Sequence, residues 1–168
     1  MATARQLWLL RHADAEPHGT RPDAERRLTA RGRGQADAVG AALRELGVSF
    51  AAVLFSPKLR ARETAEAAAA QLSEGQSPPL ELHDPLAASF RAEQALDAIA
   101  GSGSEGPVLL VGHEPDLSSV VAELTGARID LKKAGLAVVR LGGGGGELVL
   151  LLRPAELALI AGVALAER

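Results

Sequence analysis

The stretch QLWLLRHADA, residues 6–15, determines how the rest of the chain is interpreted. Four apolar residues, Leu7 to Leu10, are typical of a buried strand, and they end directly at Arg11 and His12 before a polar turn. An α/β sheet commonly presents reactive side chains at the carboxyl ends of its strands. We therefore interpret Arg11 and His12 as a fixed cation beside a nucleophile or base at such a strand end.

Two more short apolar runs end in charged or polar turns. Residues 50–55 are followed by SPKLR at 56–60, and residues 107–111 are followed by Gly112 and His113. If these strands are parallel neighbours, two arginines and two histidines meet at one edge of the sheet. Such a group of cations repels itself unless an anion lies among them, and phosphate is the anion whose oxygens arginine binds in pairs. The pattern predicts a phosphate site.

Helical patterns alternate with the predicted strands. They cover residues 30–46, 58–72, 90–100, 114–124 and 155–166, and Thr29 and Ser56 precede the first two as candidate N-caps. Strands at 136–141 and 147–152 flank the pentaglycine 142–146, which predicts an antiparallel hairpin. The glycines lack the Lys-Ser/Thr of a phosphate loop and precede a strand, so we interpret them as an exposed turn.

These patterns predict one α/β domain over residues 1–168. The expected architecture is a three-layer α/β/α sandwich with a mostly parallel sheet and an antiparallel edge hairpin. No GxGxxG motif follows the first strand, which disfavours a domain that binds a dinucleotide coenzyme.

The composition excludes several classes of site. The chain has 168 residues, a net charge of −3, 2% aromatic residues and no cysteine. An acidic balance with so few aromatic rings does not favour binding of nucleic acid. Without cysteine there is no disulfide or thiolate zinc site, and the four histidines show no HxxxH spacing. With no signal-peptide pattern and no apolar run of 18 residues, we expect a cytoplasmic protein that does not enter the membrane.

Four blocks of the sequence together resemble the histidine phosphatase superfamily, and within it the small bacterial phosphohistidine phosphatases of the SixA type. They are RHADA at 11–15, RRLTARG at 26–32, SPKLRARETA at 56–65 and GHEP at 112–115. The blocks occur in the family's order, although Arg27 stands where the family usually has proline. The short chain leaves no room for the helical insertions of larger members, which disfavours a mutase.

The resemblance implies a role for each residue of the predicted phosphate site. His12 is implied as the nucleophile that becomes phosphorylated, and Arg11, Arg60 and His113 as the groups that bind the phosphoryl group. These side chains stabilise charge on the transferring oxygens, so neither a metal nor another cofactor is implied. The implied partner is a phosphorylated protein carrying phosphohistidine, or else a small phosphorylated substrate.

The general acid is less well defined. Asp84 falls roughly where larger relatives keep a glutamate and is our candidate, although it also suits a turn-capping role before Pro85. Glu81, Asp14 and Glu16 are the other carboxylates considered. An alkoxide leaving group gains roughly 10²–10⁴-fold from a positioned acid. Imidazole, with a pKa of about 6.5, needs little help, so a site with a weak acid favours phosphohistidine.

Two other functions remain as alternatives. One is a small-molecule phosphomonoesterase that acts on a nucleotide or sugar phosphate, and the other is a phosphate-binding module without catalysis. His18 either contacts substrate or is an exposed loop histidine, which we favour. Lys132 and Lys133 resemble a basic pair of small family members, or form a solvated turn.

Overall fold

The structure is a computed structural model that describes residues 5–72 and 77–165. Its strands are β1 Arg5–Arg11, β2 Ala52–Phe55, β3 Leu80–Leu82, β4 Val108–Gly112, β5 Leu136–Gly142 and β6 Gly145–Leu152. Its α-helices are α1 Ala30–Glu45, α2 Leu59–Ala70, α3 Ala92–Gly101, α4 Asp116–Thr125 and α5 Pro154–Ala161. Two short 3-10 turns cover Asp23–Glu25 and Asp84–Ala87.

The six strands form one sheet in the order β3-β2-β4-β1-β5-β6. The first four strands are parallel, whereas β5 pairs antiparallel with both β1 and β6. The three strands predicted to be neighbours, β2, β4 and β1, are adjacent in the sheet. In this register Leu10 lies beside Val111 and Arg11 beside Gly112, which places His12 next to His113 at one edge.

Helices cover both faces of the sheet. Successive residues of a strand point to opposite faces, so Trp8 and Leu10 pack in one core and Leu7 and Leu9 in the other. Residues of α1, α2 and α5 contribute to the first core, and residues of α3 and α4 to the second. The predicted three-layer α/β/α fold with a mostly parallel sheet and an edge hairpin is confirmed.

Helix α1 has a capped N-terminus and packs closely against helix α2. Thr29 caps α1 as predicted, because its Oγ1 accepts a hydrogen bond from the Gly32 N–H at 3.0 Å. In the middle of α1, a Cβ on Gly40 would lie 2.2 Å from the Ala68 carbonyl oxygen of α2. Only glycine permits this approach, which holds α2, and with it Arg60, against the rest of the fold.

Several predicted boundaries were wrong. Helices α2, α3 and α4 begin one or two residues later than predicted, and Ser56 does not cap α2, whose N-cap position is Lys58. The pentaglycine turn is shorter than expected, since β5 runs to Gly142 and β6 begins at Gly145.

The final helix also ends earlier than predicted. Gly162 adopts a left-handed conformation with φ of 69° and terminates α5 after Ala161. The predicted last residue, Ala166, lies outside the described residues. Within residues 5–72 and 77–165, no helix combines the length and apolar character needed to cross a membrane.

Candidate active site

A cavity of about 480 Å³ lies where β1, β2 and β4 end. It contains the four residues that the sequence predicted to meet there, Arg11, His12, Arg60 and His113. The remaining lining residues are Ala15, Glu16, Pro17, His18, Asp23, Arg26, Lys58, Glu114 and Lys133. The predicted meeting of two arginines and two histidines is therefore present in the structure.

The His12 ring is fixed in one orientation by the backbone around it. Its main-chain N–H donates to the Gly112 carbonyl at 3.0 Å, which ties the residue to β4. Its Nδ1 lies 2.8 Å from the Ala13 carbonyl oxygen. Because a carbonyl oxygen only accepts, the ring proton is on Nδ1, and Nε2 is unprotonated and carries a lone pair. That Nε2 accepts a hydrogen bond from Arg60 Nε at 3.3 Å.

Helix α2 supports the loop that follows His12. The Ala13 N–H donates to Thr64 Oγ1 at 3.0 Å, and the Thr64 hydroxyl donates in turn to the Arg60 carbonyl at 2.7 Å. Thr64 is fully buried. The threonine therefore couples the position of His12 to the first turn of α2, where Arg60 is located.

Both histidines are neutral over a wide pH range. Burial lowers the pKa of His12 from 6.5 to about 3, with the hydrogen bond to Ala13 opposing this and the charge of Arg60 adding to it. Burial likewise lowers the pKa of His113 to about 3, aided by the neighbouring His12 and Arg60. A neutral imidazole is the form in which nitrogen can attack phosphorus.

This leads to a prediction about pH. We expect NMR of the phosphate-free protein to show both rings uncharged at pH 5, whereas in the urea-unfolded chain the same histidines titrate near about 6.5. Unfolded histidines therefore bind protons below that pH while the folded ones do not. The free energy of unfolding should decrease as pH falls from about 6.5 toward 3. Folded-state midpoints near 6.5 for these two rings would contradict the prediction.

His113 lies beside His12 and contacts a serine. The ring centroids of His12 and His113 are 5.2 Å apart, and His113 Nε2 lies 2.7 Å from Ser56 Oγ. The buried Nδ1 of His113 has no hydrogen-bond partner among the described residues. The hydrogen-bonding capacity of that nitrogen is therefore unused in the described part of the chain. The hydroxyl of Ser56, predicted to cap a helix, contacts this ring and also accepts a hydrogen bond from the Lys58 N–H at 3.2 Å.

The loop before α1 places a carboxylate among the cavity's cations. The Asp23 carboxylate lies 3.1 Å from Lys58 Nζ, 3.3 Å from Arg60 Nη2 and 2.9 Å from Arg26 Nη2. Burial alone raises the pKa of Asp23, but hydrogen bonds from Lys58 and Arg26 and the charge of Arg60 hold it well below its usual range. These cations therefore accept an oxyanion at this position. Sequence reasoning gave Asp23, Arg26 and Lys58 no role.

Comparison with known proteins identifies the family. A sequence model of the histidine phosphatase superfamily (branch 1) matches residues 7–87. An uncharacterized protein of Picosynechococcus is 36% identical over 149 residues, which cover 82% of this chain and 86% of that protein. The solved structure of the protein histidine phosphatase SixA complexed with tungstate matches with a TM-score of 0.79 and 28% identity, over 90% of this chain and 99% of that one. The chain belongs to the histidine phosphatase superfamily.

The chain is a SixA-like member of this superfamily, as the four sequence blocks indicated, and it is a phosphatase. The alpha-ribazole phosphatase of Shigella flexneri matches with a TM-score of 0.70, over 89% of this chain and 96% of that one. Its identity is 19%, so this match shows a shared fold alone.

Arg11 of the histidine phosphatase is held at the rim of the cavity. Its Nη1 donates to the Leu131 carbonyl at 3.0 Å, while its buried Nε has no partner among the described residues. On the same side, Lys133 Nζ lies 3.0 Å from an Asp14 carboxylate oxygen. These contacts bring the segment before β5 against the end of β1. One member of the predicted basic pair, Lys133, thus lines the cavity at the strand ends. Because the sequence predicts a phosphate site there, we call it the phosphate cavity.

The carboxylates that the sequence predicted as candidate general acids lie in different parts of the structure. Glu16 lines the cavity, but Asp84 and Glu81 are not among its lining residues. Asp84 begins the 3-10 turn after β3, and its role as general acid stays a prediction. Asp14 lines a neighbouring cavity. His18 lines the phosphate cavity with a side chain that is 85% exposed.

Proposed function

We propose that this phosphatase hydrolyses phosphohistidine in a protein substrate through a phosphohistidine intermediate on its own His12, without a metal ion or other cofactor. The observation that carries the proposal is the unprotonated Nε2 of His12. It results from the hydrogen bond between Nδ1 and the Ala13 carbonyl at 2.8 Å. Arg60 Nε lies 3.3 Å from the same nitrogen, within reach of a phosphoryl group in transfer.

The proposed reaction has two displacements. In the first, His12 Nε2 attacks phosphorus, the bond from phosphorus to the substrate imidazole breaks, and the leaving nitrogen takes up a proton from solvent. In the second, a water oxygen attacks phosphorus, its proton passes to solvent, and the bond from phosphorus to Nε2 breaks. Orthophosphate leaves and His12 is again neutral. Splitting the hydrolysis in this way replaces one difficult step by two easier ones.

Fixed cations supply the electrostatic part of catalysis. Negative charge is spread over the three equatorial oxygens during transfer, and pre-positioned donors stabilise it. The cations proposed for this role are Arg11 and Arg60, and the neutral His113 is proposed to donate a hydrogen bond through Nδ1, which has no partner among the described residues. Arg60 is only 4% exposed, so its charge is weakly screened by water.

The carboxylates of the cavity favour a leaving group that needs no strong acid. Three of them line it in the described part of the chain, and each already accepts hydrogen bonds. Asp23 accepts from Arg26 and Arg60, Glu16 from Arg21, and Glu114 from the Ser118 N–H. The pKa values of Glu16 and Asp23 lie below their usual range, so these two carboxylates are poor proton donors. An imidazole leaving group needs no strong proton donor, whereas an alkoxide leaving group does.

A small-molecule phosphomonoesterase is the second candidate. The observation in its favour is the volume of the cavity, about 480 Å³, which accommodates a small phosphate ester. This function requires an acid for the leaving alkoxide, and Asp84 is the residue that the sequence predicts for it.

We would test the proposal by comparing kcat/KM for three substrates in the presence of a chelator. They are a phosphohistidine peptide, an aryl phosphate and an alkyl phosphate. We expect the peptide to exceed the alkyl phosphate by at least about 100-fold, since only the alkyl ester depends on a strong acid. The Asp84→Asn variant, as matched control, should retain its activity toward the peptide.

Two outcomes argue against the proposal. Equal rates with the alkyl phosphate, together with their selective loss in Asp84→Asn, would establish the phosphomonoesterase instead. Binding of orthophosphate with no turnover of any substrate would indicate a phosphate-binding module.

A further inference from the structure

A second cavity of about 510 Å³ adjoins the phosphate cavity, and its walls are strongly basic. The two cavities share Arg11 and Lys133. The second cavity is lined by five basic side chains and one carboxylate, together with Gln35, Pro154, Ala155 and Leu165. The basic residues are Arg11, Arg31, Lys132, Lys133 and Arg153, and the carboxylate is Asp14. This concentration occurs in a chain with a net charge of −3.

The two carboxylates of this region, Asp14 and Asp130, form ion pairs with the lysines, and they compensate the charge of the arginines only in part. Lys133 pairs with Asp14 at 3.0 Å, and Lys132 pairs with Asp130 at the edge of the same region. Among residues 5–72 and 77–165, neither Arg31 nor Arg153 forms an ion pair. Like charges around one concave surface raise its potential and attract anions. The unpartnered arginines therefore provide a binding surface for an anion from outside the chain.

The anion bound here cannot be the phosphoryl group that is transferred. That group must reach His12 Nε2, and His12 lines only the first of the two cavities. Because the cavities share the Arg11 wall, a ligand in the second cavity lies alongside the transferring group. The two cavities therefore fit one substrate with two separate anionic parts.

The lining favours carboxylates over a nucleotide. The second cavity is lined by no aromatic or histidine ring in the described part of the chain, so a nucleobase placed there has no ring on which to stack. Arginine forks match carboxylate oxygens in pairs. We propose that the protein substrate carries acidic residues beside its phosphohistidine, and that Arg31 and Arg153 bind them. This inference rests on the proposed function and names the substrate class of the same site.

The test uses two phosphohistidine peptides of equal length. One has glutamates on both sides of the phosphohistidine, and the other has glutamines in the same places. At low ionic strength we expect kcat/KM to be about tenfold higher for the acidic peptide, because each exposed arginine–carboxylate pair contributes about threefold. The preference should decline toward unity in 1 M salt, where the Debye length is about 3 Å.

Variants that remove positive charge test which arginines cause the preference for the acidic peptide. In the double variant Arg31→Gln/Arg153→Gln we expect the ratio of the two kcat/KM values to fall to about one. The matched control is Arg44→Gln/Arg128→Gln, which makes the same change in net charge at exposed positions that line neither cavity. This control should keep the tenfold ratio.

The results separate the inference from the proposed function. Equal hydrolysis of both peptides by the wild-type enzyme overturns the inference while leaving phosphohistidine hydrolysis intact. Hydrolysis of neither peptide, with turnover of an aryl phosphate, overturns the proposed substrate class itself.

A third arm compares phenyl phosphate with 4-carboxyphenyl phosphate. A preference confined to this small carboxylated ester assigns the cavity to a small dianionic substrate and contradicts acidic protein flanks.

Discussion

Replacing His12 by alanine is expected to lower kcat/KM by at least about a thousandfold for every phosphorylated substrate. Without Nε2 the covalent route is closed, and water must attack the substrate phosphorus directly. The cavity retains its cations, so the variant should still bind orthophosphate. The loss should therefore appear in kcat rather than in affinity.

The intermediate itself provides a second measurement for this variant. Substrate labelled with radioactive phosphate, quenched in base after milliseconds, should leave an acid-labile label on the wild-type protein and none on His12→Ala. The matched control is His18→Ala, which removes an imidazole whose side chain is 85% exposed in the same cavity. We expect His18→Ala to stay within about threefold of wild type. A persistent label in His12→Ala would assign the nucleophile to another residue.

Replacing Arg60 by alanine is expected to lower kcat by about 10³-fold. An arginine that stabilises a phosphoryl group in transfer is worth roughly 10³–10⁵ in rate. Arg60 is 4% exposed, and its Nε donates to His12 Nε2 at 3.3 Å. Its removal takes away both a transition-state charge and a contact of the nucleophile. Arg60→Lys retains the charge without the planar fork, and we expect an intermediate loss.

The control for Arg60 lies on the same helix. Arg62 is a further arginine of α2, with a side chain that is 59% exposed and paired with Glu66 at 2.7 Å. Steady-state kinetics and thermal unfolding of Arg60→Ala, Arg60→Lys and Arg62→Ala separate catalysis from stability. Wild-type kcat in Arg60→Ala would exclude Arg60 from the transition state.

The sheet edge that carries the site could be predicted because its signals are local. A run such as Leu7–Leu10 indicates a buried strand, and the charged residues directly after it must lie at the strand end. Parallel neighbours then bring three such ends together. For the same reason the meeting of Arg11, His12, Arg60 and His113 in one cavity could be predicted from the sequence.

The contribution of the loop before α1 to the cavity could not be predicted from local sequence patterns. Asp23 lies in a long polar segment without periodicity, and its contacts with Lys58 and Arg60 depend on how that segment folds back over the sheet edge. Ser56 shows a related difficulty. Its position before a proline is typical of a helix N-cap, yet its hydroxyl contacts His113, 57 residues away in sequence. Local patterns carry no information about such long-range partners.

The position of β1 between β4 and β5 also affects when the enzyme becomes active. A ribosome makes His12 early, but the Gly112 carbonyl that holds it and Lys133 at the cavity wall come much later. At roughly 5–20 residues per second, this interval lasts on the order of ten seconds. During that time the nascent chain carries His12 without the complete cavity around it. Dephosphorylation begins only after the second half of the sheet has left the ribosome and closed around β1.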